Sequence, residues 1–358
     1  MTLRQTPLYS RHAALGAKMA DFGGWDMPIE YAGTVAEHTA VREDVGVFDV
    51  SHMGYTEVTG PGAIAWLNTV VANDLDRVGA GQAQYNLLCD ESGGVIDDLI
   101  VYRIDDDHAF IVPNASNSDA VVAALTAASA GSGVAVTDKR EDYGILAVQG
   151  PRSDAILEAV GLPCGHDYMS FVRASWQDSP AVVCRTGYTG ERGYEILAPA
   201  AVIPALWDAV VAAGATPAGL GARDTLRTEM GYPLHGQDLS PGINPLEASA
   251  SWAVGWKKAR FNGRESLLAI KEKGASRKSF ALKVSDRGIP RQGMTVLRDG
   301  KAIGVVTSGT FSPTLKVGIA LALLDPTTKV GDEVEVEIRG RLSSAQVVKL
   351  PFVPSRVR

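Results

Sequence analysis

The clearest structural signal lies in residues 91–112, which read ESGGVIDDLIVYRIDDDHAFIV. Two short apolar runs, Ile100–Ile104 and Ala109–Val112, flank three consecutive aspartates, and such clusters are typical of turns. The stretch therefore predicts a β-hairpin. An apolar segment from Ser118 to Ala130 follows, is ended by Gly131, and predicts a helix. A hairpin joined to a helix indicates the α+β class.

The C-terminal part of the chain has a different pattern. Before it, strand signals such as Gly144–Val148 alternate with helix signals such as Ala200–Ala213. After about Gly274, turn residues separate short strand-like runs, which are Ser279–Val284, Thr295–Arg298, Ala302–Thr307, Gly318–Leu324 and Glu333–Ile338. Strands at this spacing predict a small barrel or sandwich. We therefore expect an α+β body followed by an all-β domain.

The composition is that of an ordinary globular protein. The 358 residues include 34 Lys and Arg against 41 Asp and Glu, a net charge of −7, and 46% of them are hydrophobic. This mixture excludes a disordered chain, a fibre and a disulfide-rich mini-protein. The acidic balance argues against a nucleic-acid binder, because such domains usually carry a basic excess. The length suggests about two or three domains.

The cysteines, the apolar runs and the histidines carry no special signal. Cys89, Cys164 and Cys184 are widely spaced without a CxxC pair, which favours reduced thiols in a reducing compartment. The sequence has no signal-peptide core and no apolar run near the ~18 residues of a membrane span. Neither HxxxH nor HExxH occurs. We therefore expect a cytoplasmic protein without a metal and without membrane attachment.

Asp97 and Asp98 stand at the start of an apolar run, just after Gly93 and Gly94. Because successive strand side chains point to opposite faces, only one of the two carboxylates can face a given cleft. A carboxylate beside a buried apolar run can serve as an acid, a base or an amine anchor. A solvated turn also explains these residues, because turns are rich in aspartate. The residues alone leave both interpretations open.

A second patterned stretch, residues 185–195, reads RTGYTGERGYE. Its glycines allow tight backbone conformations, its tyrosines can stack on a planar ring, and a buried glutamate can accept paired N–H groups. A hairpin with aromatic packing is an equally good explanation. The glycine spacing matches neither GxxxxGK[ST] nor GxGxxG, which excludes a phosphate loop.

Residues 219–229, GLGARDTLRTE, have the charge spacing of a helix. Arg223 and Arg227 are four residues apart and so share one helix face. Pairing with Asp224 at the protein surface explains these charges as well as a functional role does, because most helix charges are solvated or paired.

Six sequence motifs follow one another over nearly the whole chain. They are GAKMADFGGWDMP (16–28), FDVSHMG (48–54), GGVIDDL (93–99), RTGYTGERGYE (185–195), GLGARDTLR (219–227) and TSGTFSPTL (307–315). Together they resemble the aminomethyltransferase family, the T-proteins of the glycine cleavage system. The order and coverage of the motifs make this resemblance specific.

The resemblance implies a reaction. Members of the family take the aminomethyl group held on the lipoyl arm of H-protein and transfer its one-carbon unit to tetrahydrofolate, the co-substrate. The products are 5,10-methylenetetrahydrofolate, ammonia and dihydrolipoyl H-protein, and no metal is needed.

The resemblance also implies a fold. The family forms a three-domain ring, or cloverleaf, with a discontinuous α+β body around a central folate hole and a C-terminal β-barrel. On that fold we expect a discontinuous first domain (1–50 and 140–250), a second α+β domain (51–139), a basic connecting segment (251–274) and a barrel domain (275–358).

Site residues follow from the same motifs. Asp98 matches the family's catalytic aspartate, which lies beside the reactive amines of folate and would position and activate the attacking nitrogen. Glu195 and Tyr188 match pterin-contacting positions, and Arg223 also matches a folate contact. Further pocket positions are Met53, Tyr85, Asn114, Tyr168 and Tyr232. Strand alternation then predicts that Asp98→Asn abolishes turnover whereas Asp97→Asn leaves most of it.

The segment from Ser251 to Lys301 is basic, with thirteen Lys and Arg against four Asp and Glu, a net charge of +9. H-proteins of this system are typically acidic and folate carries a glutamate tail. Electrostatic attraction could therefore guide either of them to a group of cations, which are Lys257, Lys258, Arg260 and Arg264. A solvated linker is the alternative interpretation.

Two other functions are compatible with the same fold. One is a folate-dependent demethylase, which acts on a methyl donor instead of H-protein. The other is a non-catalytic folate-binding assembly or repair factor. Factors of that branch carry a Lys-Gly-Cys-Tyr type of motif, whereas residues 185–188 read RTGY here, which argues against the second alternative.

Overall fold

The structure is a computed structural model that describes residues 2–358. Its helices are α1 (Tyr9–Ala14), α2 (Thr34–Glu43), α3 (Ala63–Asn68), α4 (Ser118–Ala128), α5 (Ser153–Ala159), α6 (Ile203–Ala212), α7 (Leu220–Met230) and α8 (Arg264–Lys273). Its strands are β1 (Lys18–Phe22), β2 (Trp25–Glu30), β3 (Gly46–Asp49), β4 (Thr56–Thr59), β5 (Gln82–Cys89), β6 (Val95–Arg103), β7 (His108–Val112), β8 (Ala135–Asp138), β9 (Tyr143–Gln149), β10 (Phe171–Trp176), β11 (Ser179–Cys184), β12 (Gly193–Pro199), β13 (Thr216–Pro217), β14 (Lys278–Val284), β15 (Thr295–Arg298), β16 (Lys301–Ser312), β17 (Val317–Leu324), β18 (Glu333–Ile338) and β19 (Arg341–Val348).

A six-stranded sheet with the order β10-β11-β12-β9-β3-β13 forms one part of the body. All its pairs are antiparallel except β3 with β13. Leu146 and Ile196 contribute to the core that includes Trp207 of α6. Phe48 and Ala147 belong to a second core, which joins this sheet to α7 and to strands of the next sheet. Burial on both faces explains the nearly continuous apolar sequence of β9.

A second sheet is antiparallel throughout and has the order β5-β6-β7-β4-β8. Its hairpin β6–β7 confirms the hairpin predicted from residues 91–112. Its strands lie in the chain between β3 and β9 of the first sheet. Leu67 of α3 and Val121 of α4 pack on Leu99 and Val101 of β6, which fixes one face of that strand in the core. The opposite face of β6 carries Asp98 together with Ile100 and Tyr102, which belong to the second core.

The C-terminal strands form a closed barrel with the order β14-β17-β16-β15-β18-β19. The five strand-like runs predicted in this region are all strands, although β16 extends to Ser312. Strand β19 was not predicted, because its sequence RLSSAQVV is rich in small polar residues. Ser343, Ala345 and Val347 alternate inward along β19, and the last two join Val334 and Val336 in the barrel core.

The α+β class with a C-terminal barrel is confirmed, whereas the domain boundaries listed above from the resemblance stay a prediction. The basic connecting segment is more ordered than a linker, because Leu267 of α8 is fully buried and lies directly under Gly93. None of the helices within residues 2–358 has the length and apolar character that crossing a bilayer requires.

Candidate functional site

A cavity of about 490 Å³ lies where the two sheets meet α7. Side chains from β5, β6, β12 and α7 line it, together with the loops that follow β7, β11 and α7. It brings together every site residue predicted from the sequence, which are Met53, Tyr85, Asp98, Asn114, Tyr168, Tyr188, Glu195, Arg223 and Tyr232. Another hollow of similar volume, beside α5 and α6, is lined by small, apolar and amide residues without a titratable group.

Asp98 presents its carboxylate to this cavity. The Tyr85 hydroxyl donates to Oδ2 at 2.9 Å, and Asn114 Nδ2 donates to Oδ1 at 3.0 Å. Burial raises the pKa of Asp98, and the hydrogen bond from Tyr85 opposes that rise. The cavity position and the two donors argue against the solvated-turn interpretation of this carboxylate.

Asp97 points away from the cavity, as strand alternation predicts, and is 0% exposed. Its Oδ2 accepts the backbone N–H of Asn114 at 2.9 Å, and its Oδ1 accepts Asn114 Nδ2 at 2.9 Å and Asn117 Nδ2 at 2.6 Å. Burial raises the pKa of Asp97, and the negative charge of Asp98 raises it further. The solvated-turn interpretation is therefore wrong for Asp97.

Glu195 supplies a second carboxylate to the cavity. It lies opposite Cys184 in the β11–β12 ladder, and Thr186 Oγ1 donates to its Oε2 at 2.5 Å. The hydroxyl of Tyr102 lies 3.1 Å from the same threonine oxygen. One oxygen of Glu195 is thus fixed by a threonine that is itself held by a buried tyrosine. Thr186, which also lines the cavity, was not predicted as a site residue.

Aromatic rings form part of the cavity wall. Tyr188 and Tyr232 stack with ring centroids 5.7 Å apart. The guanidinium of Arg223, a residue of α7, lies 4.7 Å from the Tyr188 ring centroid. Burial raises the pKa of Tyr188, and it raises that of Tyr232 to about 12. Both phenols are therefore neutral near pH 7, and the Tyr188 hydroxyl donates a hydrogen bond to the Pro233 carbonyl.

The turn over residues 187–193 keeps Tyr188 in place through close glycine packing. Gly190 has φ +80°, a conformation that favours glycine. Gly187 and Gly193 instead leave room for Gln149, because a Cβ at either position would lie within 2.6 Å of that side chain. Gln149 Nε2 donates to the Thr186 carbonyl. Two of the three glycines thus serve packing rather than unusual backbone angles.

Two buried polar atoms at the cavity lack a partner among residues 2–358, namely Nδ1 of His52 and Nη1 of Arg223. His52 is 3% exposed, and burial lowers its pKa to about 4, so its ring is neutral. His52 was quoted only as part of the FDVSHMG stretch, and its position in the cavity was not predicted from the sequence. Unpartnered buried polar atoms are costly, which makes both atoms candidates for ligand contacts.

Trp252 is another cavity residue that the sequence did not single out. It is 65% exposed, yet its ring stacks on Tyr85 with centroids 5.3 Å apart. A large exposed aromatic at the rim of a cavity is typical of a contact surface. The sequence feature that could have drawn attention to Trp252 is its place in the basic segment, five residues before Lys257.

No group of three or more His, Cys, Asp or Glu side chains that could hold a metal ion occurs in the described part of the chain. The predicted absence of a metal stays a prediction. The polar groups of the cavity are carboxylates, phenols, a hydroxyl, two amides, an imidazole and two guanidinium groups, which suit hydrogen bonding to an organic ligand.

Comparison with known proteins gives a consistent result over the whole chain. Residues 8–258 match the GCVT N-terminal domain family, and residues 277–354 match the glycine cleavage T-protein C-terminal barrel domain family. An aminomethyltransferase of Frankia alni is 57% identical over 363 residues, covering 99% of each chain. An aminomethyltransferase of Mycobacterium avium is 55% identical over 358 residues, covering 98% of this chain and 97% of the relative.

A solved structure agrees with these relatives. The glycine cleavage system aminomethyltransferase T from Bartonella henselae superposes with a TM-score of 0.94 at 36% sequence identity, covering 99% of each chain. Fold, domain matches and sequence identity therefore point to one family, whose members are folate-dependent transferases. The chain belongs to the aminomethyltransferase family, the T-proteins of the glycine cleavage system.

Proposed function

We propose that this cavity transfers the one-carbon unit of aminomethyl-lipoyl H-protein to tetrahydrofolate, with Asp98 as the catalytic carboxylate. The products are 5,10-methylenetetrahydrofolate, ammonia and dihydrolipoyl H-protein. The observation that carries this proposal is the convergence of Asp98, Glu195 and the Tyr188–Tyr232 stack on one cavity, in a chain of this family.

The lining residues fit tetrahydrofolate. A volume of about 490 Å³ lies in the range of small-molecule sites. The Tyr188 and Tyr232 rings offer apolar faces to a planar heterocycle, and the Glu195 carboxylate can accept paired N–H groups. The unpartnered Nη1 of Arg223 can donate to a ligand oxygen. When bound, tetrahydrofolate supplies the amine nitrogens that receive the one-carbon unit.

Asp98 acts on the charge that develops during transfer. Its carboxylate is held by two donors, Tyr85 and Asn114, so it does not need to reorganise when a neighbouring amine becomes positive. Burial raises its pKa and brings the group closer to the range in which it can also exchange a proton. We assign Asp98 to positioning the attacking amine and stabilising its positive charge.

The geometry reduces the number of cations that can attract lipoylated H-protein. Lys257 and Arg260 are exposed, whereas Lys258 Nζ donates to the carbonyls of Val71 and Asn73. Arg264 is also used internally, because its Nε donates to the Lys258 carbonyl. Among the four predicted docking residues, we therefore propose that Lys257 and Arg260 attract H-protein. We place this encounter in the cytoplasm.

The experiment that tests the function supplies aminomethylated H-protein and tetrahydrofolate and measures ammonia and 5,10-methylenetetrahydrofolate. Reactions without either substrate are the controls. Formation of both products in equal amounts is expected. A reaction with an N-methylated amine and tetrahydrofolate, in place of H-protein, tests the demethylase alternative, and turnover there without turnover on H-protein would favour that alternative.

A further inference from the structure

Behind the cavity, a row of polar side chains supports the face of β6 opposite to Asp98. We call Asp97, Asn117 and His235 the support chain. Asn117 Nδ2 donates to Asp97 Oδ1 at 2.6 Å and lies 2.8 Å from His235 Nδ1. His235 Nε2 lies 2.8 Å from the carbonyl oxygen of Val95, at the start of the same strand. None of these three side chains lines the cavity.

The hydrogen bonds of the support chain are mutually consistent. The Val95 carbonyl can only accept, so Nε2 of His235 carries the proton. Nδ1 is then an acceptor and takes one N–H of the Asn117 amide, while the other N–H goes to Asp97. The support chain therefore holds the Asn117 donor against Asp97, and the His235 imidazole at its far end lies against the Val95 carbonyl.

At its other end, the support chain controls Asn114. Asp97 binds this residue at two points, the backbone N–H and the side-chain Nδ2, both at 2.9 Å. The same Nδ2 donates to Asp98 Oδ1 at 3.0 Å and to the Asp98 carbonyl at 2.9 Å. One amide nitrogen is thus shared between the two aspartates. Rotation of the Asn114 side chain away from Asp98 would break its contact with Asp97 as well.

We propose that Asp97 is a positioning residue for the transfer reaction: it fixes the Asn114 amide, and through it the orientation of the Asp98 carboxylate. The inference rests on the proposed function, because only a reacting group at Asp98 gives this alignment a catalytic consequence. Ionisation of Asp97 beside Asp98 is unfavourable, because the burial of Asp97 and the like charge of Asp98 both oppose it. Three donors compensate part of that cost and hold the group in one orientation.

This arrangement revises the expectation that Asp97→Asn leaves most of the turnover. An asparagine at this position accepts only through its Oδ1. Its Nδ2 would face the backbone N–H of Asn114, so two donors would meet where a carboxylate oxygen now accepts. The Asn114 side chain would lose its fixed position. A displacement of about 1 Å at a reacting group can cost 100-fold in rate.

The test compares D97N and N117A with wild type and with D106N, a control on the exposed tip of the β6–β7 hairpin. Each protein is assayed for kcat, for KM of tetrahydrofolate and for its thermal unfolding midpoint. We expect D97N to lower kcat by about 10–100-fold while KM stays close to that of wild type, because the aromatic wall and Glu195 are unchanged. N117A should show a smaller fall of the same kind, since Asp97 keeps both contacts to Asn114.

Two results would overturn the positioning role. One is a wild-type kcat in D97N. The other is a fall in kcat that, in both variants, comes with a higher KM for tetrahydrofolate and a lower thermal unfolding midpoint. If D97N does not fold, N117A decides: reduced kcat at an unchanged midpoint supports the role, and wild-type kcat refutes it. A wild-type protein without turnover contradicts the proposed function itself, which separates the two failures.

Discussion

The Tyr85 hydroxyl donates to Asp98 Oδ2 at 2.9 Å. The two residues come from neighbouring strands, β5 and β6, whose antiparallel register places Tyr85 opposite Ile100, two residues beyond Asp98. The ring of Tyr85 also stacks on exposed Trp252. Tyr85 therefore joins the half-buried Asp98 carboxylate to the rim of the cavity.

Tyr85→Phe removes this donor and keeps the ring. The hydrogen bond stabilises the ionised form of Asp98, so its loss raises the pKa of that carboxyl. If ionised Asp98 is the active form, the ascending limb of the pH profile of kcat/KM should move to higher pH, and the rate should fall by the equivalent of about 1.5–3 kcal/mol. Steady-state kinetics across pH measure both effects. Tyr143→Phe, which removes a tyrosine hydroxyl outside the cavity from a ring packed at a tilt against Tyr55, is the control. An identical shift there would contradict the assignment.

Glu195→Gln tests the second carboxylate. Its oxygen would no longer accept charge-assisted hydrogen bonds from ligand N–H groups, which are worth about 1.5–3 kcal/mol. The dissociation constant for tetrahydrofolate should therefore rise by about 10–100-fold, which a fluorescence titration measures. Glu57→Gln, on β4 and outside the cavity, should leave it unchanged. Equal affinity in wild type and E195Q would remove Glu195 from the folate site.

Reversal of two exposed charges, Lys257→Glu with Arg260→Glu, tests docking of the carrier. Loss of electrostatic attraction should raise KM for aminomethylated H-protein by roughly tenfold at low salt, and added salt should reduce the difference. Turnover of free aminomethyl-lipoate should not change. The barrel pair Lys301→Glu with Lys329→Glu, also exposed, matches the change in net charge. An equal loss in both pairs would mean that net charge rather than a docking surface matters.

The ionisation of Glu229 makes the free energy of unfolding depend on pH. Burial alone would raise its pKa, but hydrogen bonds and charges from His38, Ser312 and Arg42 lower it from about 4.5 to about 2. Because the pKa in the folded state is depressed, this contribution to stability is present above about pH 4.5 and is lost as pH falls toward 2. The free energy of unfolding of Glu229→Gln should lie below that of wild type at pH 7.

The gap between wild type and Glu229→Gln should shrink as the pH is lowered through that window. Denaturant titrations from pH 2 to 7 measure it. Glu337→Gln, at an exposed barrel position, is the control. A gap that stays constant with pH would show that the Glu229 charge does not carry the effect.

The sequence was informative where local pattern dominates. Alternation along residues 95–103 was sufficient to separate the environments of Asp97 and Asp98, because strand geometry sends neighbouring side chains to opposite faces. The turn chemistry of Asp105–Asp107 likewise located the β6–β7 hairpin.

Contacts between distant segments were beyond this reasoning. Asn117 and His235 are 118 residues apart, and only the tertiary structure brings them together behind Asp97. Burial of Arg227, which is 2% exposed and paired with Asp238, also depends on the barrel packing against α7. Strand β19 was missed for a different reason. Its polar sequence has no strong strand signal, and it forms a strand because it pairs with β14 and β18 in the closed barrel.

The most direct measurement compares wild type, Asp98→Asn and the exposed control Asp106→Asn with aminomethylated H-protein and tetrahydrofolate, following ammonia and 5,10-methylenetetrahydrofolate together. Wild type and D106N should form both products in equal amounts, while D98N, which loses the negative charge beside the reacting amine, should form neither above the rate without enzyme. Product formation by D98N at the wild-type rate, or the absence of both products with wild type, would contradict the account.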